Sequence, residues 1–556
     1  MEPGTMVITM LNRKIRMSMK GRHLLPLAVM SLSPMALADF SFTADVESSG
    51  VFQDVKRTEQ ENQELASIIV EPGVSALYRS RKFNASVQSR YTFLEREINE
   101  DNRSDDYTEY TYNLAWTPLD RFLILSANGG LSYNNVNINS NIASDFLLNE
   151  DELSKTRSNR FAATVNLEEF SFLDATSTIS YSSVTADRNE EFLAQGVDNK
   201  SLSANGTAQS KNNATDFIWQ VNGDYSKTDR SASNSRDFES RQGSGFASYM
   251  VAPSWGITAV GQHEAYQIGR ELDLFNTIRE FNSIGIGVSY RQSATRVITI
   301  TANKSDTDFE SNDNDTFVGL DAEWAFSPRT KISASFGTRF YGDSANVNFT
   351  FNSKRIRWIA SYSESVTTFS RLVSEPQSLG VFVCSAGSTL ISDCFQPSSL
   401  SYELEAGEVF AQFTDPNFQI EDQVILRKAL TSTIGFTGKR LSSQISLSVS
   451  NDEYVEIVRE RDTVSASTSV GYKLGRNGKL SASVRYIQTE QTRDLDVNGE
   501  SETWRTSINY RHALGRNLST NIELSYLDRD NTDNTTFGGR DLEEKRINLS
   551  LKYKLK

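Results

Sequence analysis

The stretch Asp216–Ser226, "DFIWQVNGDYS", sets large apolar and polar residues in strict rotation. Phe217, Trp219, Val221, Gly223 and Tyr225 fall on one parity, and Ile218, Gln220, Asn222 and Asp224 on the other. Successive side chains of a strand point to opposite faces, so this is a strand with one greasy and one wet side. In a soluble sandwich the greasy side meets a core; in a membrane barrel it meets lipid. One strand does not separate the two.

The same alternation recurs from Phe40 to the end of the chain, without a linker or a change of composition. Runs of about 9–14 residues come in pairs, joined within a pair by short turns such as Arg81-Lys82, Pro118-Leu119-Asp120, Glu168-Glu169, Ala252-Pro253-Ser254, Ser327-Pro328-Arg329 and Gly438-Lys439-Arg440. Between pairs the connections are longer, polar and mostly acidic: "EREINEDNRSDD", "ADRNEEFLAQGVDNK", "KSDTDFESNDND" and "DRDNTDNTTFGGRD". Turn residues between alternating runs read as antiparallel hairpins. The count is about 24 runs, within 22–26.

The aromatic residues decide the solvent. Trp116, Trp219, Trp255, Trp324 and Trp358 lie on the apolar parity of their strands, within a few residues of a short turn. At the other ends, the last apolar-parity residue before a long connection is repeatedly tyrosine: Tyr91, Tyr133, Tyr181, Tyr225, Tyr362 and Tyr526. Indole and phenol rings favour the headgroup level, and two such belts one strand-length apart are expected of a lipid-facing barrel. A sandwich core has no reason to sort Trp to one end and Tyr to the other. The expected fold is therefore all-β: a transmembrane, antiparallel, up-and-down β-barrel of about 24 strands, with short periplasmic turns and long extracellular loops. Its place is the outer membrane of a Gram-negative bacterium.

The wet parity then faces the lumen: Gln220, Asn222 and Asp224 in the opening strand. In the last strand, "KRINLSLKYKLK", Arg546, Asn548 and Lys552 alternate with Ile547, Leu549, Leu551 and Tyr553. A charge at the bilayer midplane on the lipid side costs about 2–4 kcal/mol, so these bases must point inward or lie near the interface.

Bulk properties agree. The 556 residues carry 71 acids against 57 bases, so the balance argues against a nucleic-acid binder. No apolar run of 18 or more residues follows residue 40, which excludes helical spans but not barrel strands, half of whose residues are polar. At the N-terminus, Arg13, Lys14, Arg16, Lys20 and Arg22 precede "LLPLAVMSLSPMALA", ending in Ala36-Leu37-Ala38. That is the layout of a secretory signal peptide over residues 1–38, with Met19 the more ordinary start and Asp39 the first mature residue. Residues 39–556 then form a single barrel.

One segment departs from the repeat. Thr367 to Val424 separates two strands by nearly 60 residues and holds Pro376, Pro397, Pro416 and both cysteines. Its acids outnumber its single base, Arg371, and it contains the apolar patches "LGVFVC" and "EVFAQF". It is expected to fold over the mouth or into the lumen and to form the constriction, with an acid-rich lining that disfavours anions. Cys384 and Cys394, ten residues apart in an exported chain, are expected to form a disulfide.

From "IIVEPGVSALYRSRKFNASVQSRYTF" onward the chain resembles the outer-membrane barrel family associated with PEP-CTERM/exosortase systems. The shared features are an early strand with Val70, Pro72 and Gly73, a tight basic turn and a Tyr-ending partner strand. The resemblance implies a porin-like protein linked to exopolysaccharide production and surface-protein sorting, as machinery rather than as a sorted substrate. One departure is the end, Tyr553-Lys554-Leu555-Lys556, where such barrels generally carry a terminal aromatic.

Chemistry-bearing motifs are sparse. After the signal peptide only His263 and His512 remain, and a serine hydrolase would need one of them beside a serine and an orienting amide or acid. Both read better as interfacial, structural histidines. "DTDFESNDND" places Asp306, Asp308 and Glu310 at alternate positions but lacks the Gly and terminal Glu of an EF-hand loop, so it supports at most loose divalent-ion or lipopolysaccharide bridging. No catalytic, cofactor-binding or metal-ligating residue is assigned, and the chain is read as a non-enzyme. Two functions compete: a conduit for a hydrophilic solute, a polysaccharide among the candidates, and a plugged structural or adhesive barrel that binds partners through its extracellular loops. The partners expected are outer-membrane lipid and lipopolysaccharide, the barrel insertion machinery, and polysaccharide or export components, with no nucleic acid.

Overall fold

The computed structural model describes residues 39–58, 62–98, 101–135, 145–148, 153–167, 172–187, 196–211, 214–231, 236–269, 277–307, 316–368, 371–372, 378–385, 394–395, 408–414, 423–493, 497–532 and 541–555. The signal peptide expected over residues 1–38, with Met19 as the expected start, lies outside them.

Twenty-four strands form one sheet, each antiparallel to its neighbours. The sheet closes on itself: Asp39–Arg57 pairs with Leu542–Leu555, in register from Ala44 opposite Leu555 to Arg57 opposite Leu542. The ring is an up-and-down barrel, in which chain order is ring order except where the Thr367–Val424 insert is skipped and Ile356–Thr368 pairs directly with Val424–Thr437. Among the described residues no helix is long and apolar enough to cross a membrane.

The alternation sets the two faces. On the outer parity Phe52, Ile68, Ile286 and Val318 expose 57, 57, 64 and 70 % of their surface, while the intervening Val51, Ser67, Thr301 and Asn303 are buried. So much contiguous apolar surface is stable only against lipid. Proline behaves as its missing N–H requires: between Ile69 and Val74 the ladder to Phe83–Ile98 omits Glu71 and Pro72, while Pro72 keeps its place opposite Val46 on the other side.

Turn chemistry fixes the short-turn end. Ser80 N–H donates to Phe83 O at 2.9 Å across Arg81-Lys82, and Phe122 N–H donates to Leu119 O at 2.9 Å around Asp120, whose φ is +47°. Pro118 itself belongs to the strand Asp101–Leu119, so that turn sits two residues later than its sequence suggests. One-residue register shifts precede four of these turns, at Trp116/Leu119, Met250/Ala252, Arg291/Ser293 and Ala325/Ser327. Such bulges increase local twist and help the chain reverse in few residues.

The long-connection end differs from expectation. "EREINEDNRSDD" is mostly ladder rather than loop: Phe83–Ile98 and Asp101–Leu119 pair through it, with Ile98 opposite Asp101. Acidic composition there marks the height at which strands leave lipid for water, where both faces tolerate charge and backbone pairing continues. In the other three expected loops, Ala186 and Val197–Lys200, Lys304–Thr307 and Asp528–Asn531 are likewise strand.

Of the insert, Ser378–Ser385, Cys394–Phe395 and Glu408–Thr414 form a three-stranded sheet separate from the ring, with Cys384 directly opposite Cys394. Directly opposed residues of an antiparallel pair have Cα atoms about 4.5–5.5 Å apart, within disulfide reach.

Two outcomes are expected. Protease added to intact cells should cut within 308–315 or 533–540 and spare the Pro328 turn, as read by mass spectrometry of the fragments; cutting at Pro328 from outside would invert the topology. Peptide mapping without reduction should recover Cys384 joined to Cys394, a crosslink worth about 3 kcal/mol, whereas two alkylatable thiols would remove it.

Candidate functional site: an arginine-gripped lumen

The connection between the strands Leu123–Asn135 and Leu153–Leu167 turns inward. Its described residues, Asp145-Phe146-Leu147-Leu148, form a tight turn in which Leu147 N–H donates to Asp145 Oδ1 at 3.0 Å and Leu148 N–H to Asp145 O at 3.2 Å. Leu147 and Leu148 are buried against inward-facing side chains of the wall: Val51, Leu94 and Tyr107 on one side, and Val55, Leu527 and Leu542 on the other. The Phe146 ring stacks on Tyr107 with centroids 4.0 Å apart. Burying such side chains contributes roughly 1.5–3 kcal/mol each, reason enough for an apolar triplet to leave water.

The polar atoms of this turn would be costly to bury unpaired, and arginines meet them. Arg546 Nη2 lies 2.9 Å from Asp145 Oδ2 and Arg505 Nη2 lies 3.7 Å from it. Arg96 donates to the carbonyls of Phe146 and Leu147 at 3.4 and 3.5 Å, and Arg57 to that of Leu148 at 3.2 Å. Arg546 is itself held by Glu544, which also accepts from Gln53. The four arginines come from the first, third, twenty-second and twenty-fourth strands of the ring, so the turn spans the seam where the barrel closes. Burial by itself would raise the Asp145 carboxyl, but Arg546 and Arg505 more than offset that and hold it below the usual carboxylate range.

A second inward element narrows the opposite side. Thr330–Arg339 and Gly342–Asn352 are short, and their Phe340-Tyr341 turn, closed by Gly342 at φ +110°, leans on the inner wall. Phe340 lies 4.8 Å from the Tyr266 ring, and Arg339 Nε lies 3.4 Å from Glu264 Oε1. Around this tip Phe238, Tyr266 and Ile268 pack with Val366, Val424 and Leu426, from strands six to eight places away along the ring. Arg230 clasps Glu456 in two bonds of 2.8 and 3.0 Å, joining regions about ten strands apart. The two walls therefore approach each other at this end.

The lumen-facing set is placed as follows. Gln220 Nε2 donates to Asn222 Oδ1 at 3.0 Å, and Asp224 Oδ1 lies 3.8 Å from Arg371 Nη2 at the root of the insert. Lys552 meets Asp45 at 2.8 Å and Glu47 at 3.5 Å, and Asn548 is half-buried. Of the aromatic set, Trp116, Trp255 and Trp358 are exposed at the short-turn end, with Trp219 and Trp324 half-buried. Tyr91, Tyr181 and Tyr526 are exposed; Tyr225 and Tyr362 are half-buried, the latter donating to Glu364 Oε1 at 2.6 Å. Tyr133 instead packs edge-on against Tyr107 and Phe146, 5.1 and 5.7 Å away, as part of the inward cluster. The Thr367–Val424 insert is the segment expected to form the constriction; the Asp145–Leu148 turn, from a different connection, also lies against the inner wall. Its signal was present in "DFLL", a run of three large apolar residues directly after an acid.

Both histidines lie on the outward-facing parity of their strands. His263 Nδ1 is 2.7 Å from Asn282 Oδ1, an orienting amide, but its same-face neighbours on its own strand are Gly261 and Ala265, and Gly243 lies opposite, so no hydroxyl stands ready to be activated. His512 Nδ1 meets Tyr510 OH at 3.1 Å. Among the described residues no group of three or more His, Cys, Asp or Glu is set to hold a metal.

No family model matches the chain, and no curated protein is similar to it. Among solved structures it is similar to the FrpB iron transporter from Neisseria meningitidis, at 9 % identity over 92 % of this chain and 81 % of that one, with a TM-score of 0.43. It is likewise similar to the siderophore receptor PirA from Acinetobacter baumannii, at 9 % identity over 92 and 80 %, TM-score 0.43. The outer membrane protein opdK from Pseudomonas aeruginosa follows at 10 % identity over 93 and 99 %, TM-score 0.28. Likenesses this distant carry nothing about activity. The closed sheet, with an apolar outer face and a polar, charged inner one, makes this chain an outer-membrane β-barrel on its own geometry.

The Asp145 grip yields a pH prediction. Its carboxyl is lowered in the fold, so its contribution is complete above the ordinary aspartate range and is lost as pH falls through the lowered value. Asp145→Asn should cost about 2 kcal/mol, because Arg546 keeps Glu544 but loses one of its two carboxylates and Arg505 loses its nearby charge, read as a lower denaturant midpoint in gel-shift unfolding. It should also remove the acid-dependent part of the wild-type stability. An unchanged midpoint and an unchanged acid profile would mean the apolar triplet alone holds the turn.

Proposed function

We propose that the protein is a porin-like conduit for a hydrophilic solute, narrowed at its extracellular mouth. The observation that carries this reading is the pairing of a charged, hydrogen-bonded inner wall with two built-in inward elements, the Asp145–Leu148 turn and the Phe340-Tyr341 tip. Rings of 16–18 strands already enclose an aqueous channel and 22-stranded ones are plugged, so a 24-strand ring needs internal matter to remain selective.

The Thr367–Val424 insert adds to this restriction. Its root reaches the inner wall through Arg371 and Asp224, and its acids make the entrance favour cations over anions. The resemblance to PEP-CTERM/exosortase-associated barrels makes a polysaccharide the first polymer to test as cargo, with export components and the barrel insertion machinery as partners. The plugged, partner-binding barrel is the alternative.

Planar-bilayer recording of the purified protein tests the reading. Deletion of Thr367 to Val424 should raise single-channel conductance, reduce cation preference in a salt gradient, and sensitise cells to large antibiotics. A wild-type protein that never conducts, together with a deletion that changes none of the three, would favour the plugged barrel.

A further inference from the structure

The outer face of the ring carries a recess that neither the lumen nor the conduit reading uses. It is a notch of about 770 Å³ across the strands Phe217–Asp229, Phe238–Ala252, Trp255–Ile268, Thr277–Ser293 and Arg296–Thr307, where outward residues alternate with Asn222, Ser244, Gln262, Ser283 and Ser305 of the inward parity. Its floor contains Gly243 and Gly261, beside which a Cβ would meet nothing within 4 Å. Val221 and Ile284, exposed by 53 and 73 %, line it and lie on the lipid-facing parity.

Toward the long-connection end the lining turns polar. His263, Asn282, Lys304 and Asp306 border the notch on the same outward parity, where the ladder aligns His263 with Asn282 and Asn282 with Asp306. His263 and Asn282 are locked by their 2.7 Å contact, and Asn282 Nδ2 donates to Glu280 Oε1 at 3.1 Å. Lys304 is exposed and has no ion-pair partner among the described residues. Ile284 lies directly opposite Lys304, and below them Ile286, Val288 and Ile300 are outward and apolar, so the polar group sits at the upper edge of the hydrocarbon band.

We propose that this notch is a binding site for a phosphorylated glycolipid of the outer leaflet. An acyl chain lies along the glycine floor between Val221 and Ile284. Lys304 takes the phosphate, and Asn282, His263 and Asp306 exchange hydrogen bonds with sugar hydroxyls. The chemistry divides as the site does: a hydrocarbon chain needs a dry recess that side chains have vacated, a phosphate needs an unspent cation, and hydroxyls need mixed donors and acceptors. A second copy of the chain is the other occupant that could cover small residues, but it would have to desolvate Lys304 and Asp306, which have no ion-pair partner among the described residues.

The test uses the full barrel, purified in detergent and stripped of lipid, with bisphosphorylated lipid A and its dephosphorylated form as probes in native mass spectrometry. One phosphorylated lipid per chain should be retained, with at least tenfold weaker retention of the dephosphorylated form and of either lipid by Gly261→Leu. Lys304→Glu should lose the preference for phosphate while keeping the acyl contribution. Gly50→Leu, at an outward glycine that also has open space beside it but lies outside the notch, should bind as wild type. Equal retention by all variants would overturn the site. So would a wild-type dimer that Gly261→Leu dissociates without any change in bound lipid.

Discussion

Every other feature of this molecule depends on one requirement: no backbone N–H or C=O may face hydrocarbon unpaired. Each such group costs several kcal/mol without water to bond it. A sheet meets that condition only by having no edge, so Asp39–Arg57 must find Leu542–Leu555 across nearly the whole chain. The Asp145–Leu148 turn is placed where it reinforces this closure, gripping the first and third strands through Arg57 and Arg96 and the last through Arg546.

Closing so many strands creates a second problem, an interior too wide to be filled by wall side chains. The chain solves it with segments that turn inward near the mouth, and each solution combines an apolar anchor with paired charge. Leu147 and Leu148 are the anchor on one side, with four guanidinium groups satisfying the turn. On the other, Phe340 packs on Tyr266 while Arg339 meets Glu264 and Arg230 clasps Glu456. Apolar burial supplies the driving force and charge pairing sets the geometry, because a buried guanidinium without a partner is strongly unfavourable.

The two faces also divide the functional possibilities. Solute chemistry belongs to the inner wall, where Asp224, Lys552 and their partners are held in fixed ion pairs. Lipid chemistry belongs to the outer wall, where His263 is oriented by Asn282 but faces Gly243, Gly261 and Ala265 rather than a hydroxyl.

Period-two alternation, turn residues and the sorting of aromatics were enough to read a barrel of 24 strands from the amino acids alone, because a strand's two faces are set by local geometry and each meets a different solvent. The same logic assigned Gln220, Asn222, Asp224, Arg546 and Lys552 to the inner parity. It misjudged the upper ends, where acidic "EREINEDNRSDD" continues as ladder, since polarity marks water and not the loss of pairing. Nor could it find the inward turn at Asp145–Leu148, whose grip joins residues from 50 to 400 positions apart. Arg96, Arg505 and Arg546 are ordinary wet-parity residues in their own strands. Only closure of the ring brings their charges around one carboxylate and three carbonyls, and that convergence is a property of the tertiary structure.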